Sequence, residues 1–230
     1  MSRFRPAADG SPADWVVRAV GPFGTGVGSL VPHGFEACAR ILHPAATRGG
    51  EPVRWDAIAA WSGGIAHRMA EFEPLARHRP AGRPGAAPFD QPPRDGHLVA
   101  PVLSALADVL AEHTGTAEAC WFGLWSGYGW TSGEPMVHLP ERDYLLFEGQ
   151  LAAVNEMGWW LDGRLHLPQS PNLMWPADHA WFVASEIDLD STHVGGSAAL
   201  IEALVKDPRL EAWPALLTDP VWATSDEINR

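Results

Sequence analysis

The chain has 230 residues, of which 46% are apolar and 19% are charged, and this balance excludes a disordered chain and fits one domain. The formal net charge is −12 and is uneven: residues 1–139 carry 13 acids and 11 bases, whereas residues 140–230 carry 15 acids and five bases. A negative field of this size argues against nucleic-acid and anionic-membrane partners and favours cationic ones.

Two further features bear on where the protein works. Cys38 and Cys120 lie far apart without CxxC spacing, so we expect reduced core cysteines and neither a zinc motif nor a disulfide framework. The first 14 residues contain no apolar run of the signal-peptide type, and no stretch approaches the roughly 20 apolar residues of a membrane span. The sequence therefore predicts a cytoplasmic protein.

The first 100 residues predict short elements separated by glycine and proline. Residues 15–20 and residues 35–42 have the composition of strands. Residues 55–70 have apolar residues near helical spacing, but Gly63-Gly64 predicts two helical pieces. Residues 78–96 are dense in Pro, Gly and Arg and predict a mobile surface loop.

The next segment carries the clearest helical pattern of the chain. Residues 101–113 begin with Pro101, which suits a first helical turn, and form one apolar stripe. A buried strand at residues 120–125, a Gly-rich turn and strands at residues 136–139 and 144–147 then predict a sheet meander.

The last third predicts a β-α-β unit. Residues 180–189 alternate as a strand, Gly195-Gly196 predicts a turn, and Ser197 can cap a helix through Lys206 before a short strand at residues 210–213. The whole pattern indicates an α+β fold, with a mainly antiparallel or mixed sheet flanked by two or three helices, in a single domain over residues 1–230.

The sharpest candidate for chemistry is an acidic row, Glu186, Asp188 and Asp190, followed by His193. On a strand the three carboxylates share one face, because side chains alternate with a period of two. Such a row could bind a divalent cation, grip a cationic partner or serve in acid–base catalysis, and His193 bonded to Asp190 would be a base with a raised pKa. The same acidic residues are also explained by a solvated outer face of an edge strand.

Aromatic residues are the second feature, since seven of the twelve Trp lie between Trp121 and Trp181. A cluster of this kind in a cleft could stack a sugar, a base or a cation, although core packing explains most of it equally well. The candidate ligand-binding residues are aromatics in this region: Trp125, Tyr128, Trp130 and Trp175.

Several established motifs are missing from the sequence. The chain has no GxGxxG after a strand, no GxxxxGK[ST], no HExxH and no GxSxG. Nucleotide binding, a dedicated zinc site and a hydrolase triad are therefore disfavoured, and no cofactor is assigned beyond a divalent cation on the acidic row.

Three segments carry a resemblance: PNLMWPADHAWFVASEIDLDSTHVGGSAALIEAL, VPHGFEACARILHP and CWFGLWSGYG. They resemble an actinobacterial family of hypothetical proteins to which no activity is attached, so the resemblance implies no site residue. A fainter likeness, in the acidity and the Trp-Gly turn, is to immunity proteins.

The sequence leaves two functional hypotheses open. The first is an immunity-like binding protein for a basic protein or a small ligand, based on the charge distribution. The second is a metal-assisted hydrolase that uses Glu186, Asp188, Asp190 and His193.

Overall fold

A computed structural model describes residues 3–78, 85–129, 135–162, 164–221 and 225–230. It confirms an α+β fold built on one large antiparallel sheet. None of the helices within these ranges has the length and apolarity that crossing a membrane requires. The single-domain interpretation stays a prediction.

The described helices are short apart from one. They are α1 Asp14–Ala19, α2 Trp55–Ser62, α3 Phe72–Arg77, α4 Ala100–Glu112 and α5 Ala198–Lys206. The strands are β1 Arg5–Pro6, β2 Ala37–Leu42, β3 Ala45–Ala46, β4 Pro52–Val53, β5 Cys120–Trp125, β6 Met136–Leu139, β7 Arg142–Gly149, β8 Gly158–Leu161, β9 Leu165–Pro168, β10 Leu173–Pro176, β11 Phe182–Ala184, β12 Ser191–Gly196 and β13 Ala212–Ala215.

Within the described residues, the main sheet has nine strands in the order β1-β7-β5-β10-β11-β12-β2-β13, with β6 also paired to β7. Strands β12 and β13 both run antiparallel to β2, one on each side, and α5 connects them. A β-α-β unit therefore exists, but its first strand is β12 and not the strand predicted at residues 180–189, and β2 lies between its two strands. Two small hairpins, β3-β4 and β8-β9, lie outside this sheet.

Both faces of the main sheet are covered. On one face α4 and α5 pack their apolar stripes against Ile41, Phe122 and Val194 in the largest core cluster. On the other face, α1 and the segment before β2 cover a second cluster that contains Trp175 and Phe182. The helix α2 and the helix α3 pack around Trp55 and Leu42 in a third cluster.

Several local predictions are confirmed, because a local signal decides them. The structure contains the three strands predicted for the meander, the helix α4, and the helix α5, where the Ser197 side chain accepts a hydrogen bond from the Leu200 N–H. The meander order itself is wrong, because β5 and β6 each pair with β7 and not with each other. The helix α2 ends at Gly63, whose φ of 84° is the left-handed conformation typical of a C-cap glycine.

Three further predictions were wrong. Residues 15–20 fall mostly in the helix α1, and the strand predicted at residues 180–189 is shorter than expected, since β11 ends at Ala184. Gly195 and Gly196 lie within the strand β12 and make no turn. A Cβ atom on Gly195 would lie 2.6 Å from the Phe35 ring and from a Val31 methyl group, so close packing explains this glycine.

The predicted mobile loop lies partly outside the described residues, which omit 79–84. In the remainder, Ala46 accepts backbone hydrogen bonds from the N–H groups of Asp90 and Gln91. The described part of this segment is therefore tied to the body of the protein.

Candidate functional site

One end of the main sheet gathers most of the predicted site residues. At this end β5 finishes at Trp125, β11 finishes at Ala184 and β12 begins at Ser191, because neighbouring antiparallel strands end and begin side by side. We call it the polar end. The side chains that follow β11 and precede β12 lie in the connecting turn there.

The acidic row lies in this turn and does not occupy one face of a strand, which corrects the sequence interpretation. Glu186 is buried, whereas the Asp188 side chain is 73% exposed. The chain reverses between β11 and β12, so successive acids point into different surroundings. The row is therefore divided between two arginines that come from distant parts of the sequence.

Arg142 at the start of β7 binds the first two acids. Its Nε donates to Glu186 at 2.9 Å and an Nη donates to Asp188 at 2.6 Å, while Phe23 lies 5.0 Å from the guanidinium carbon. The Tyr144 hydroxyl also points to Glu186, at 3.5 Å. A buried carboxylate needs such partners, because an unpaired one is costly to desolvate.

Arg40 on β2 binds the third acid from inside the protein. It donates to Asp190 at 3.3 Å, to the Ser191 hydroxyl at 2.9 Å and to the carbonyls of Arg68 and Ala70. Burial raises the pKa of Asp190, and the positive charge of Arg40 opposes that rise. Asp190 therefore pairs with a buried arginine while its own side chain remains partly exposed at the surface.

His193 does not bond to Asp190, so the predicted base with a raised pKa is wrong. The residue is 2% exposed, and its Nδ1 has no hydrogen-bond partner among the described residues. Burial, reinforced by the charges of Arg40 and His43, lowers the pKa of His193 to about 3. A neutral, enclosed imidazole of this kind does not suit proton transfer with a ligand at the surface.

A buried chain of hydroxyl and imidazole groups was not predicted from the sequence. The Ser185 and Thr192 hydroxyls lie 2.6 Å apart, Thr192 Oγ1 lies 2.8 Å from His43 Nε2, and His43 Nδ1 lies 2.8 Å from the Arg94 carbonyl. The carbonyl can only accept, so Nδ1 carries the proton and Thr192 donates to Nε2. Burial lowers the pKa of His43 to about 4, which keeps this arrangement neutral. No spacing in the sequence indicates these partners.

The aromatic candidates do not form one binding surface. Trp125 and Tyr128 are half-buried at the polar end and pack edge to face with centroids 5.3 Å apart. Trp175 is fully buried and stacks with Phe182, so its prediction as a ligand contact was wrong. Trp130 lies outside the described residues.

A pocket of about 410 Å³ opens beside the polar end. We call it the acidic pocket, because five carboxylates line it and none of the described residues that line it is basic. Its described lining consists of Glu71, Phe72, Glu73, Pro74, Pro92, Pro93, Asp95, Asp188, Leu189, Asp190, Val221 and Ser225. The volume lies within the range of small-ligand sites.

Asp95 is the carboxylate of this pocket whose charge is least compensated. It forms no hydrogen bond or ion pair with the residues that the structure describes, whereas Glu73 pairs with Arg77 and Glu71 with Arg230. Partial burial and the charge of Asp188 raise the pKa of Asp95. A cation in the pocket would relieve this repulsion.

Within the described ranges, no group of three His, Cys, Asp or Glu side chains is placed to hold a metal ion. Comparison with protein-family models, with curated proteins and with solved structures finds no match to this chain. The metal-assisted hydrolase and the resemblance to the actinobacterial family both stay predictions.

Proposed function

We propose that this protein binds a cationic group in the acidic pocket, either a Lys or Arg side chain of a protein partner or a small organic cation. The observation that carries the proposal is the described lining of the pocket, in which five carboxylates and no basic group surround about 410 Å³. Four of these carboxylates already pair with arginines of the chain, whereas Asp95 forms no ion pair with a described residue. Asp95 is therefore the carboxylate that a bound cation would neutralise.

The apolar part of the lining supports a ligand with an alkyl stem. Phe72, Leu189 and Val221 share the pocket with the acids. Lys and Arg side chains place their methylene groups along apolar surface while their charged ends remain among polar groups. This combination favours an organic cation over a bare metal ion.

The charge of the whole protein supports the same proposal. A formal net charge of −12 attracts cations over distances comparable with the Debye length and accelerates their association at low ionic strength. Binding that depends on this field weakens as salt increases. An immunity-like partnership with a basic protein is one form that this function would take.

The test is isothermal titration calorimetry with two probes, N-acetyl-arginine methylamide for a protein side chain and spermidine for a small organic cation. We expect Asp95→Asn to raise the Kd of a bound probe by about tenfold, since a hydrogen bond to a charged group contributes about 1.5 kcal/mol. Asp108→Asn is the matched control, because it removes the same charge from α4, outside the pocket.

The control variant should change the Kd by less than about twofold, since exposed charges at a distance are screened. Absence of binding of both probes to the folded wild type would refute the proposal. Equal weakening by Asp95→Asn and Asp108→Asn would also refute it, because the effect would then come from net charge alone.

A further inference from the structure

The segment of residues 225–230, which we call the strap, lies against the acidic pocket. Ser225 lines the pocket, and so does Glu71, to which the strap binds. Glu71 Oε1 accepts hydrogen bonds from the Ser225 N–H at 2.5 Å, the Ser225 hydroxyl at 2.8 Å and the Asp226 N–H at 3.3 Å. One pocket carboxylate is therefore shared between the pocket and the strap.

Specific side-chain contacts hold the strap in place. The buried Asp226 carboxylate accepts from the N–H groups of Glu71, Ile228 and Asn229, and it lies 3.1 Å from His67 Nε2. The Asn229 side chain accepts from the Ile65 N–H at 2.8 Å and donates to the Ile65 carbonyl at 3.0 Å. These contacts fix the position of the residue that follows Asn229.

That residue is Arg230, whose Nη donates to Glu71 Oε2 at 3.4 Å. Glu71 thus holds a guanidinium of its own chain, the same chemical group as one of the two proposed ligands. The Arg230 side chain is 42% exposed and the Glu71 side chain 13% exposed. Partly exposed pairs of this kind are weak, typically at most about 1 kcal/mol.

We propose that the strap is an autoinhibitory contact, in which Arg230 occupies Glu71 as an internal counterpart of the cationic ligand. The inference rests on the proposed function and adds its regulation. A cation that enters the pocket competes for Glu71 with Arg230 and with the Ser225 and Asp226 N–H groups, whereas the Asp226 and Asn229 side chains keep the rest of the strap attached. Loss of Arg230 frees one carboxylate for the ligand.

The test is calorimetric titration of the full chain with N-acetyl-arginine methylamide, comparing wild type with Arg230→Gln and Arg209→Gln. Arg209 is the control, since it is an ion-paired arginine that contacts Asp108 of α4 and does not line the pocket. We expect Arg230→Gln to tighten binding about two- to fivefold, the range that a weak ion pair supplies. Arg209→Gln should change the Kd by less than about twofold.

Hydrogen exchange provides the second measurement. The Ser225 and Asp226 amides donate to Glu71, so their exchange should accelerate when the probe saturates the wild type. A strap with a purely structural role would show no acceleration.

The outcomes are separable. Wild type that binds the probe, with an unchanged Kd in Arg230→Gln, leaves the proposed function intact and overturns the autoinhibition, as does equal tightening by Arg209→Gln or unchanged amide exchange. If neither N-acetyl-arginine methylamide nor spermidine binds the wild type or either variant, both proposals are overturned together. If spermidine alone binds, the proposed function stands and the autoinhibition is overturned.

Discussion

The structure predicts that the folded protein loses stability at acidic pH, because three buried histidines must become protonated when the chain unfolds. Burial is the main cause that lowers the pKa of His43 and His97 to about 4 and that of His193 to about 3. An unfolded histidine titrates near 6.5. Between these values the unfolded chain binds protons that the folded chain does not, so stability is full above about pH 6.5 and falls as the pH decreases towards 4.

The linkage relation gives the size of the effect. At pH 5 each histidine with these pKa values lowers the free energy of unfolding by about 2 kcal/mol relative to pH 7.5, so three together would remove about 6 kcal/mol. That sum is comparable with the whole stability of many domains. The raised pKa of Asp190 acts in the opposite direction, because its folded form takes up protons more readily than its unfolded form.

A variant isolates one histidine from these other groups. The change is His193→Gln, and the measurement is urea unfolding followed by tryptophan fluorescence at several pH values between 7.5 and 5.0. The wild type should lose about 2 kcal/mol more than the variant over this interval. His33→Gln, at an exposed position, should keep the wild-type pH dependence. Identical pH dependence in the wild type and His193→Gln would refute the reasoning.

Three further changes test the packing and the ion pairs. Gly195→Ala should destabilise the protein by about 1–3 kcal/mol in thermal unfolding, because its Cβ overlaps neighbouring side chains, whereas Gly49→Ala has room and should cost much less. Arg142→Gln should cost about 3–5 kcal/mol in urea unfolding by leaving Glu186 buried without its cation, and Arg142→Gln with Glu186→Gln should recover part of that loss. Mg²⁺ should raise the melting temperature of the wild type no more than that of a variant in which the acidic row is neutralised to amides, because separate arginines already hold these acids. A larger rise of the melting temperature in the wild type would support the hypothesis that the acidic row binds a metal ion.

The sequence predicts those parts of the fold that local patterns determine. The helix α4 has a full apolar stripe and α5 has a serine cap, and both form where predicted. The helix α1 was mistaken for a strand because six residues with one buried position, Val16, satisfy either period. Short elements of this kind are decided by tertiary packing.

Glycine was the main source of error in the last third. Gly195 and Gly196 have the composition of a turn, yet both lie in a strand because Phe35 and Leu200 approach the backbone there. Because Gly195 and Gly196 belong to β12, the chain reverses earlier than predicted, at residues 186–190. The acidic row therefore lies in this turn and not on a strand. A local rule for glycine failed because the neighbours that require it are distant in the sequence.

The acidic pocket shows why net charge did not locate the site. The sequence assigns nearly all of the charge imbalance to residues 140–230, but Glu71, Glu73 and Asp95 come from the first half, which is nearly neutral. Conversely, the three acids of the row each contact an arginine, so much of their charge is compensated locally. What distinguishes the pocket is the convergence of three chain segments that bring carboxylates and no base into its described lining, and only the topology determines that convergence.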